Sequence, residues 1–453
     1  MLKRGKSIFV ILAAVILAVT ACSPTAPAVD VEAPAAPAET ANETSAEEVT
    51  MVVWDIMSRP EESAIVEALI AEFEAAHPGV TIEREAKSLD DLKATSALAM
   101  GGEGGPDIIQ VNQGESDMGA MVKAGLLEPL NDYAEEYGWL DTFSPGLAGL
   151  NSWREDGFQM GEGNLYGLPL QAEIVGVYYR TDIFEEQGLH VPTTYAEFEE
   201  VMATLVEAGI VPITYGNLDG WPAIHLYSEI QNVELVGREW YDRFMFTKGD
   251  VTFDMPANVT AAEKLVGWVD NGYLTPGFEG IGYDDSWQLF LAGEGAMMLT
   301  GSWMAGEFVA GDLGEQIGFF LVPPVEAGGY KLTVGGTGAG FAIRKGSPNA
   351  ALAAEYLDYL YSEETAIALA KAGFLPVYPI DPSVAGSGLP ADVATAWGYA
   401  TENDGIGYYM DWVTPTMYDT ISASLQELMA GNISAEEFVA VVDADYTDFL
   451  ATK

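Results

Sequence analysis

After Glu48 the sequence alternates between short apolar segments and longer segments with helical periodicity, which constrains the fold more than any other feature. Val49–Asp55 has the composition of a buried strand, whereas the apolar residues of Glu61–His77 recur at helical spacing. The succession repeats until a third strand at Pro106–Asn112. This pattern predicts a parallel sheet covered by helices, and ligands bind such sheets at the carboxyl ends of the strands. The residues at these ends are Trp54, Asp55, Asn112 and Gln113.

A second α/β region follows the first. The segment "TTYAEFEEVMATLVEAG" predicts a helix, with Thr194 as its N-cap and Glu197 placed for a capping box. Ile210–Gly216 predicts a further strand. Lys331–Ser347 predicts two strands around a run of glycines, and the chain beyond them is mostly helical.

The only cysteine, Cys22, follows an apolar run of 12 residues between Ile8 and Val19. Because a helix needs roughly 20 residues to span a bilayer, the run and the basic residues before it predict a secretory signal over residues 1–21. Val19–Cys22 resembles the lipobox of bacterial lipoproteins, which implies that Cys22 is lipidated; the alternative is a chance cysteine in an ordinary signal. Residues 22–48 are rich in Pro, Ala, Thr and Glu, so we expect a flexible linker.

The chain is strongly acidic, with 69 Asp and Glu against 19 Lys and Arg and a formal net charge of −50. Such a surface repels nucleic acid and phosphate-rich ligands. The three histidines have no metal-ligand spacing. Gly335–Gly340 does not match the phosphate-binding G-x-G-x-x-G pattern and precedes a strand-like segment. We therefore expect no metal, no cofactor and no nucleic-acid partner.

Five tryptophans adjoin polar or small residues at predicted strand ends or in loops. They are Trp54, Trp221, Trp287, Trp303 and Trp412. An indole face fits the C–H face of a pyranose ring, and neighbouring carboxylates or amides can bond the ring's hydroxyls. The alternative for any single tryptophan is a place in the core, but from five in these contexts we expect two or three in a ligand cleft.

Several segments resemble, in order, those of the extracellular solute-binding proteins of carbohydrate ABC importers, the cluster that includes maltose-binding protein. "FEAAHPGVTIE" is similar to that family's first helix-to-strand turn, "YGLPLQAEIVGVYYRTDIF" to its first crossing between lobes, and "TVGGTGAGFAIRKGSPN" to the return crossing. The resemblance implies a two-lobed α/β fold of the periplasmic-binding-protein type II class, each lobe a sheet flanked by helices, with a hinge of crossing strands. The implied lobes are residues 49–168 with 336–378, and 169–335 with 379–453.

The resemblance also implies roles for individual residues. Glu173 matches the crossing glutamate that hydrogen-bonds sugar, Trp303 the stacking tryptophan, and Trp412 an aromatic platform. Trp221 and His225 lie where the oligosaccharide-binding branch places contacts. The complete predicted ligand-binding set is Trp54, Asp55, Asn112, Gln113, Glu173, Trp221, His225, Trp287, Trp303, Gly336, Asp411 and Trp412.

The implied function is that of a lipid-anchored receptor on the extracytoplasmic face of the membrane, which binds a sugar, with an oligosaccharide favoured, and delivers it to ABC transporter permease subunits. We expect a monomer that is not an enzyme. One alternative is a surface-anchored glycoside hydrolase, since so many acidic residues offer many carboxylate pairs. Another is a receptor for a different solute, such as a polyamine. Phosphate esters are disfavoured because few Lys or Arg could hold them.

Overall fold

The computed structural model describes residues 48–102, 104–235, 237–248 and 251–453. The predicted signal segment 1–21, the predicted lipidation site Cys22 and all of the predicted linker 22–48 except Glu48 lie outside the described residues.

Strands and helices alternate through the first part of the described chain, and helices dominate its last part. The strands are β1 (Val49–Asp55), β2 (Val80–Ala86), β3 (Ile108–Val111), β4 (Ser152–Trp153), β5 (Asn164–Leu165), β6 (Leu168–Pro169), β7 (Ala172–Arg180), β8 (Met297–Gly301), β9 (Ile317–Phe320), β10 (Thr333–Thr337), β11 (Gly340–Ile343) and β12 (Ile406–Gly407). The helices are α1 (Pro60–Ala76), α2 (Leu89–Gly101), α3 (Met118–Lys123), α4 (Asn131–Tyr137), α5 (Trp139–Thr142), α6 (Pro145–Gly149), α7 (Thr181–Gln187), α8 (Tyr195–Glu207), α9 (Trp221–Glu234), α10 (Glu239–Met245), α11 (Pro256–Asp270), α12 (Tyr283–Leu291), α13 (Ala305–Ala310), α14 (Ala350–Leu360), α15 (Glu363–Lys371), α16 (Leu389–Glu402), α17 (Met417–Met429) and α18 (Ala435–Leu450).

The first sheet has the strand order β2-β1-β3-β11-β6. β1 runs parallel to β2 and β3, whereas β11 runs antiparallel to β3 and β6. Met51 and Val53 of β1 and Ile108 of β3 are fully buried and share an apolar core with Val66 and Phe73 of α1. Because burial of apolar surface stabilises by about 25 cal/mol per Å², this core holds α1 on the sheet. The predicted first strand and first helix are confirmed.

The second sheet has the order β12-β10-β7-β8, and β9 also pairs with β7. β10 runs antiparallel to β7 and places Gly336 opposite Glu173. The chain crosses between the sheets from β6 to β7, from β10 to β11, and again between α15 and α16, where the N–H of Ala172 donates to the carbonyl of Leu375 at 2.8 Å. The described chain therefore forms two α/β lobes joined by crossing segments, which confirms the predicted fold class.

Two local predictions are confirmed in detail. Thr194 accepts a hydrogen bond from the N–H of Glu197 at 3.2 Å, and the Glu197 carboxylate accepts one from the N–H of Thr194 at 3.2 Å. This reciprocal capping box begins α8, as the sequence predicts. The glycine-rich segment forms the two strands β10 and β11, also as predicted.

The predicted strand at Ile210–Gly216 is wrong, because only Ile213 forms β-bridges there. Pro212 has no N–H to donate to a ladder. The N–H of Tyr215 donates to the side chain of Thr275 at 2.9 Å instead of to a main-chain carbonyl. The ladder is therefore interrupted on both sides of Ile213, although residues 212–216 are buried.

Candidate functional site

A cleft with a volume of about 360 Å³ lies between the two lobes. The first lobe contributes residues that follow β1 and β3, among them Arg59 and Asn112. The second lobe contributes the start of α9, part of α12 and the segment after β12. Glu173 and Gly338 of the crossing segments also line it. The carboxyl ends of β1 and β3 thus lead into a ligand-sized space, as expected for parallel strands.

A second, larger cavity of about 520 Å³ lies beside α16 and the chain between Phe374 and Pro382. Seven of the twelve predicted ligand-binding residues line the smaller cleft, and none of them lines the larger cavity. The interlobe cleft is therefore the candidate site.

Six rings form a continuous series on the second lobe's side of the cleft. This aromatic wall consists of Tyr283, Trp221, Trp303, His225, Tyr409 and Trp412. Successive ring centroids are between 4.4 and 6.3 Å apart, in tilted or edge-on arrangements that aromatic pairs favour. Trp221 and Trp303 are only partly buried, so the wall offers ring surface to a ligand.

Trp303 is held in one orientation by its neighbours. Its Nε1 donates a hydrogen bond to the hydroxyl of Tyr283 at 2.7 Å. A Cβ atom at position 301 would lie 1.9 Å from the Trp303 ring, so only Gly301 lets the indole lie against the main chain. The end of β8 thus fixes the orientation of the residue that the sequence predicts to stack on a sugar.

Glu173 lies on β7 at the first crossing between the lobes, with one oxygen already bonded. The hydroxyl of Tyr409 donates to its Oε2 at 3.0 Å. A Cβ at position 338 would lie 2.8 Å from its Oε1, so Gly338 leaves space around this second oxygen. Burial raises the pKa of Glu173 to about 7, and the carboxyl group can therefore donate or accept near neutral pH.

Two further polar side chains of the cleft form no hydrogen bond with another described residue. The exposed fractions of His225 and Asp411 are 9% and 8%, and neither side chain hydrogen-bonds to another described residue. Burial lowers the pKa of His225 to about 3, which keeps the imidazole neutral, and raises the pKa of Asp411 to about 6. Both side chains line the cleft, where their polar atoms are available to a hydroxyl group of a ligand or to water.

The first lobe contributes polar groups at the start of α1. Arg59 Nη1 and Glu62 Oε2 form an ion pair at 2.8 Å. The carboxylate of Glu307, on α13 of the second lobe, accepts hydrogen bonds from the N–H groups of Glu61 and Glu62 at 2.9 and 3.1 Å. The N-terminus of α1 is therefore satisfied across the lobe boundary.

The structure brings more than half of the predicted residues together. The residues that line the cleft are Asn112, Glu173, Trp221, His225, Trp303, Asp411 and Trp412. The other five lie outside its lining: Trp54, Asp55, Gln113, Trp287 and Gly336.

The five residues outside the cleft lining make contacts elsewhere in the protein. Asp55 is fully buried and accepts two hydrogen bonds from Arg84, at 2.7 and 2.8 Å. The ring of Trp54 lies beneath the ammonium group of Lys87, 4.2 Å from its centroid. The Asp55 carboxylate is thus committed to an ion pair, and the Trp54 ring to a cation–π contact.

The remaining three residues hold the hinge and the rim of the cleft. The Gln113 amide nitrogen donates to the carbonyl of Gly338 at 2.7 Å, which ties β3 to a crossing segment. Trp287 Nε1 donates to Asp284 at 3.0 Å. Gly336 has a φ of 140°, which favours glycine, and pairs with Glu173 across the strands. Their contacts with the site are indirect.

The sequence did not single out Arg59, Glu62, Tyr283 or Tyr409. The two tyrosines adjoin predicted residues in "YDDSW" and "YYMDW", so the same aromatic signal extended by a few positions would have found them. Arg59 and Glu62 have no such signal, because an Arg just before a helix and a Glu in its first turn are ordinary surface residues.

Within the described residues, no cluster of three or more His, Cys, Asp or Glu side chains is arranged to hold a metal ion. Nor does any helix among them have the length and apolar character needed to cross a membrane.

Comparisons with known proteins agree with this fold. The chain is 24% identical over 281 residues to an uncharacterized ABC transporter extracellular-binding protein of Pyrococcus horikoshii, and the match spans 60% of each protein. It is 22% identical over 328 residues to the multiple sugar-binding protein of Streptococcus mutans serotype c, covering 71% of this chain and 73% of that one. A solved chitin oligosaccharide binding protein is similar with a TM-score of 0.76 at 24% identity, over 89% of this chain and 99% of the other.

The family described as bacterial extracellular solute-binding protein matches residues 58–367, which is more than half of the sequence. That range contains both crossings between β6 and β7 and between β10 and β11, and most of the residues that line the cleft. The chain belongs to the bacterial extracellular solute-binding protein family.

Proposed function

We propose that this protein is the receptor of an ABC importer and that it binds an oligosaccharide in the interlobe cleft. The observation that carries the proposal is the aromatic wall, which faces polar groups from the other lobe and the crossing segments across one cleft. Rings of this kind stack on the C–H faces of sugars. The names of the Streptococcus mutans relative and of the chitin oligosaccharide binding protein support a sugar ligand.

Binding and closure are coupled in this proposal. A sugar that contacts the aromatic wall and also Asn112 or Arg59 touches both lobes, so it binds a closed arrangement better than an open one. Its hydroxyls bond the open oxygen of Glu173 and the unpartnered groups of His225 and Asp411. The crossing segments act as the hinge, and the permease reads the closed form.

We further propose that Cys22 carries the lipid that keeps a monomeric receptor beside its permease, with residues 22–48 as the tether. A diacylglyceryl group together with an N-acyl chain gives lasting membrane attachment, where a single chain is marginal. Mass spectrometry of the mature N-terminus tests this, and an unmodified chain that begins elsewhere would contradict it. That result would leave the sugar-binding proposal intact.

In this function no bond of the sugar is broken. Calorimetry and tryptophan fluorescence with a panel of neutral oligosaccharides, followed by chromatography of the same samples, test both halves. We expect saturable binding with the sugar recovered intact. Release of shorter sugars would favour a glycoside hydrolase, and absence of binding by every sugar of the panel would contradict the proposal.

A further inference from the structure

The residues that line the cleft include many more acidic than basic side chains. Among the described residues that line it, seven carry carboxylates and Arg59 is the only Arg or Lys. Arg59 already forms the 2.8 Å ion pair with Glu62. A negatively charged ligand would therefore meet carboxylates without a free cation to balance its charge.

Three of these seven carboxylates face the cleft from both lobes, one from the first and two from the second. Asp90 lies in the first turn of α2 on the first lobe, whereas on the second lobe Asp219 precedes α9 and Asp284 lies in the first turn of α12. We name these three residues the acidic rim. Among the described residues none of the three forms an ion pair, although Lys93 attracts Asp90 and Arg59 attracts Asp284. Burial and then repulsion by Asp219 raise the pKa of Asp90, so the like charges of the two lobes act on each other.

The acidic rim belongs to a site that is prepared for a polar but uncharged partner. His225 and Asp411 are more than nine-tenths buried, line the same cleft, and bond to no other described residue. A neutral imidazole can both donate to and accept from a hydroxyl group. These two side chains thus fit the hydroxyls of a neutral sugar, and neither offers positive charge to an anion.

We propose that the acidic rim makes the receptor select uncharged oligosaccharides and exclude sugars that bear a carboxylate, phosphate or sulfate group. This deepens the function proposed above and depends on it. A charged group on the ligand would be repelled by Asp90 from one lobe and by Asp219 and Asp284 from the other. The repulsion grows as the lobes close, because closure brings the charges together and excludes water.

Matched ligand pairs test the selection. Calorimetry would use xylotriose, cellotriose and the methyl ester of trigalacturonate, each beside a counterpart of the same backbone that carries a free carboxylate. In every pair whose neutral member binds, we expect that member to bind about tenfold more tightly than its charged counterpart at about 20 mM NaCl. The preference should shrink near 1 M NaCl, where the Debye length falls to about 3 Å.

The variant with Asp90→Asn, Asp219→Asn and Asp284→Asn tests the residues themselves. Asparagine keeps the oxygen that accepts from the N–H of Tyr283 at Asp219 and the one that accepts from Trp287 at Asp284. We expect the ratio of the neutral-sugar affinity to the carboxylated-sugar affinity to fall by about tenfold in the variant.

Asp91→Asn is the matched control, since Asp91 lies in the same helical turn, carries the same charge and does not line the cleft. The single variant Asp90→Asn serves if the triple variant does not fold, because Asp90 lies in the first turn of a surface helix. Equal affinity for both members of a pair, or a triple variant with unchanged preference, would overturn the acidic rim as a selector. Binding of only the carboxylated members would do so as well. A chain that binds no member of any pair would instead contradict the proposed function itself.

Discussion

At the scale of single residues, the cleft separates apolar from polar recognition. The aromatic wall comes entirely from the second lobe, whereas Arg59 and Asn112 come from the first and Glu173 from the crossing between them. A pyranose presents C–H groups on its faces and hydroxyls at its edges. The arrangement therefore suits a sugar that stacks on the second lobe and is bonded at its edge when the first lobe closes.

Trp303→Ala should weaken sugar binding by about 1 to 3 kcal/mol, because it removes the stacked face that Gly301 and Tyr283 hold in place. Calorimetry with a neutral oligosaccharide that binds the wild type measures the loss. Urea unfolding of the same variant should show nearly the wild-type midpoint, since the Trp303 ring is only partly buried.

Trp397→Ala is the control for this prediction. Trp397 is also partly buried, but it lies on α16 and lines the larger cavity. Its removal should leave sugar affinity unchanged. Equal losses at both positions would mean that the effect comes from general loosening of the fold, and an unfolded Trp303→Ala variant would place Trp303 in the core.

At the scale of elements, the first turn of α1 is capped by a side chain of the other lobe. Arg59 supplies no capping side chain, and the carboxylate of Glu307 on α13 accepts from two N–H groups of the first turn instead. A negative group is favourable at this end of the helix dipole. The contact also connects the second lobe to Glu62, the partner of Arg59 in the cleft.

Glu307→Ala should lower the free energy of unfolding by about 0.5 to 2 kcal/mol, as loss of a helix cap does. Urea denaturation at neutral pH measures the change. Glu307→Gln is the matched control, because the amide oxygen can still accept from the N–H groups of Glu61 and Glu62; its loss should be smaller. Equal stability of the alanine variant and the wild type would show that water caps α1 equally well.

A buried carboxyl group ties α9 to the crossing strand β10. Glu229 Oε1 accepts from the N–H of Val334 at 2.7 Å and from the hydroxyl of Thr333 at 3.1 Å. Burial raises the pKa of Glu229 from 4.5 to about 8. Between these two pH values the folded protein keeps a proton on Glu229 that the unfolded chain releases. The stabilisation from this bound proton is complete below pH 4.5 and is lost as the pH rises through about 8.

Glu229→Gln should therefore flatten the pH profile of stability, since glutamine keeps the acceptor oxygen and does not titrate. Relative to the variant, the wild type should lose up to about 1.4 kcal/mol of unfolding free energy per pH unit between about pH 5 and pH 8. Urea midpoints across this range measure both proteins. Parallel profiles would mean that Glu229 does not hold the extra proton.

Elements that depend on neighbouring residues in the sequence were predictable, and those that depend on distant partners were not. The capping box at Thr194 needs only Glu197, three residues away, so its signal is local. The failed strand near Ile213 depends on Thr275, some 60 residues away, which takes the N–H that a ladder would use. Local pattern cannot report such competition.

The residues of the candidate site also divide into those that local sequence could predict and those that depend on a distant partner. Asp55 and Asn112 both follow strands of the first sheet, yet Asn112 lines the cleft while Arg84 of β2 holds Asp55. The identity of the neighbouring strand's side chain decided the outcome, and the sequence pattern of β1 alone does not contain it. Glu173 and Trp303, which the motif resemblance singled out, both line the cleft, and there whole segments rather than single residues carried the signal.

At the scale of the whole molecule, the acidic surface opposes folding and lobe closure. The formal net charge is −50, and the acidic rim brings like charges of the two lobes to one cleft. Repulsion among so many carboxylates destabilises a compact state, and mobile ions screen it over distances beyond the Debye length.

The midpoint of urea unfolding at pH 7 should therefore rise when NaCl is increased from about 20 mM to about 0.5 M, because screening relieves repulsion that is stronger in the folded chain than in the expanded one. The control is the same titration near pH 5, closer to the sequence pI of about 4.1, where fewer carboxylates are charged and the rise should be smaller. Potassium chloride should act like sodium chloride, since screening depends on ionic strength and not on a specific site. A midpoint that falls with salt at pH 7 would show that attractive ion pairs, such as Arg84 with Asp55, outweigh the net repulsion.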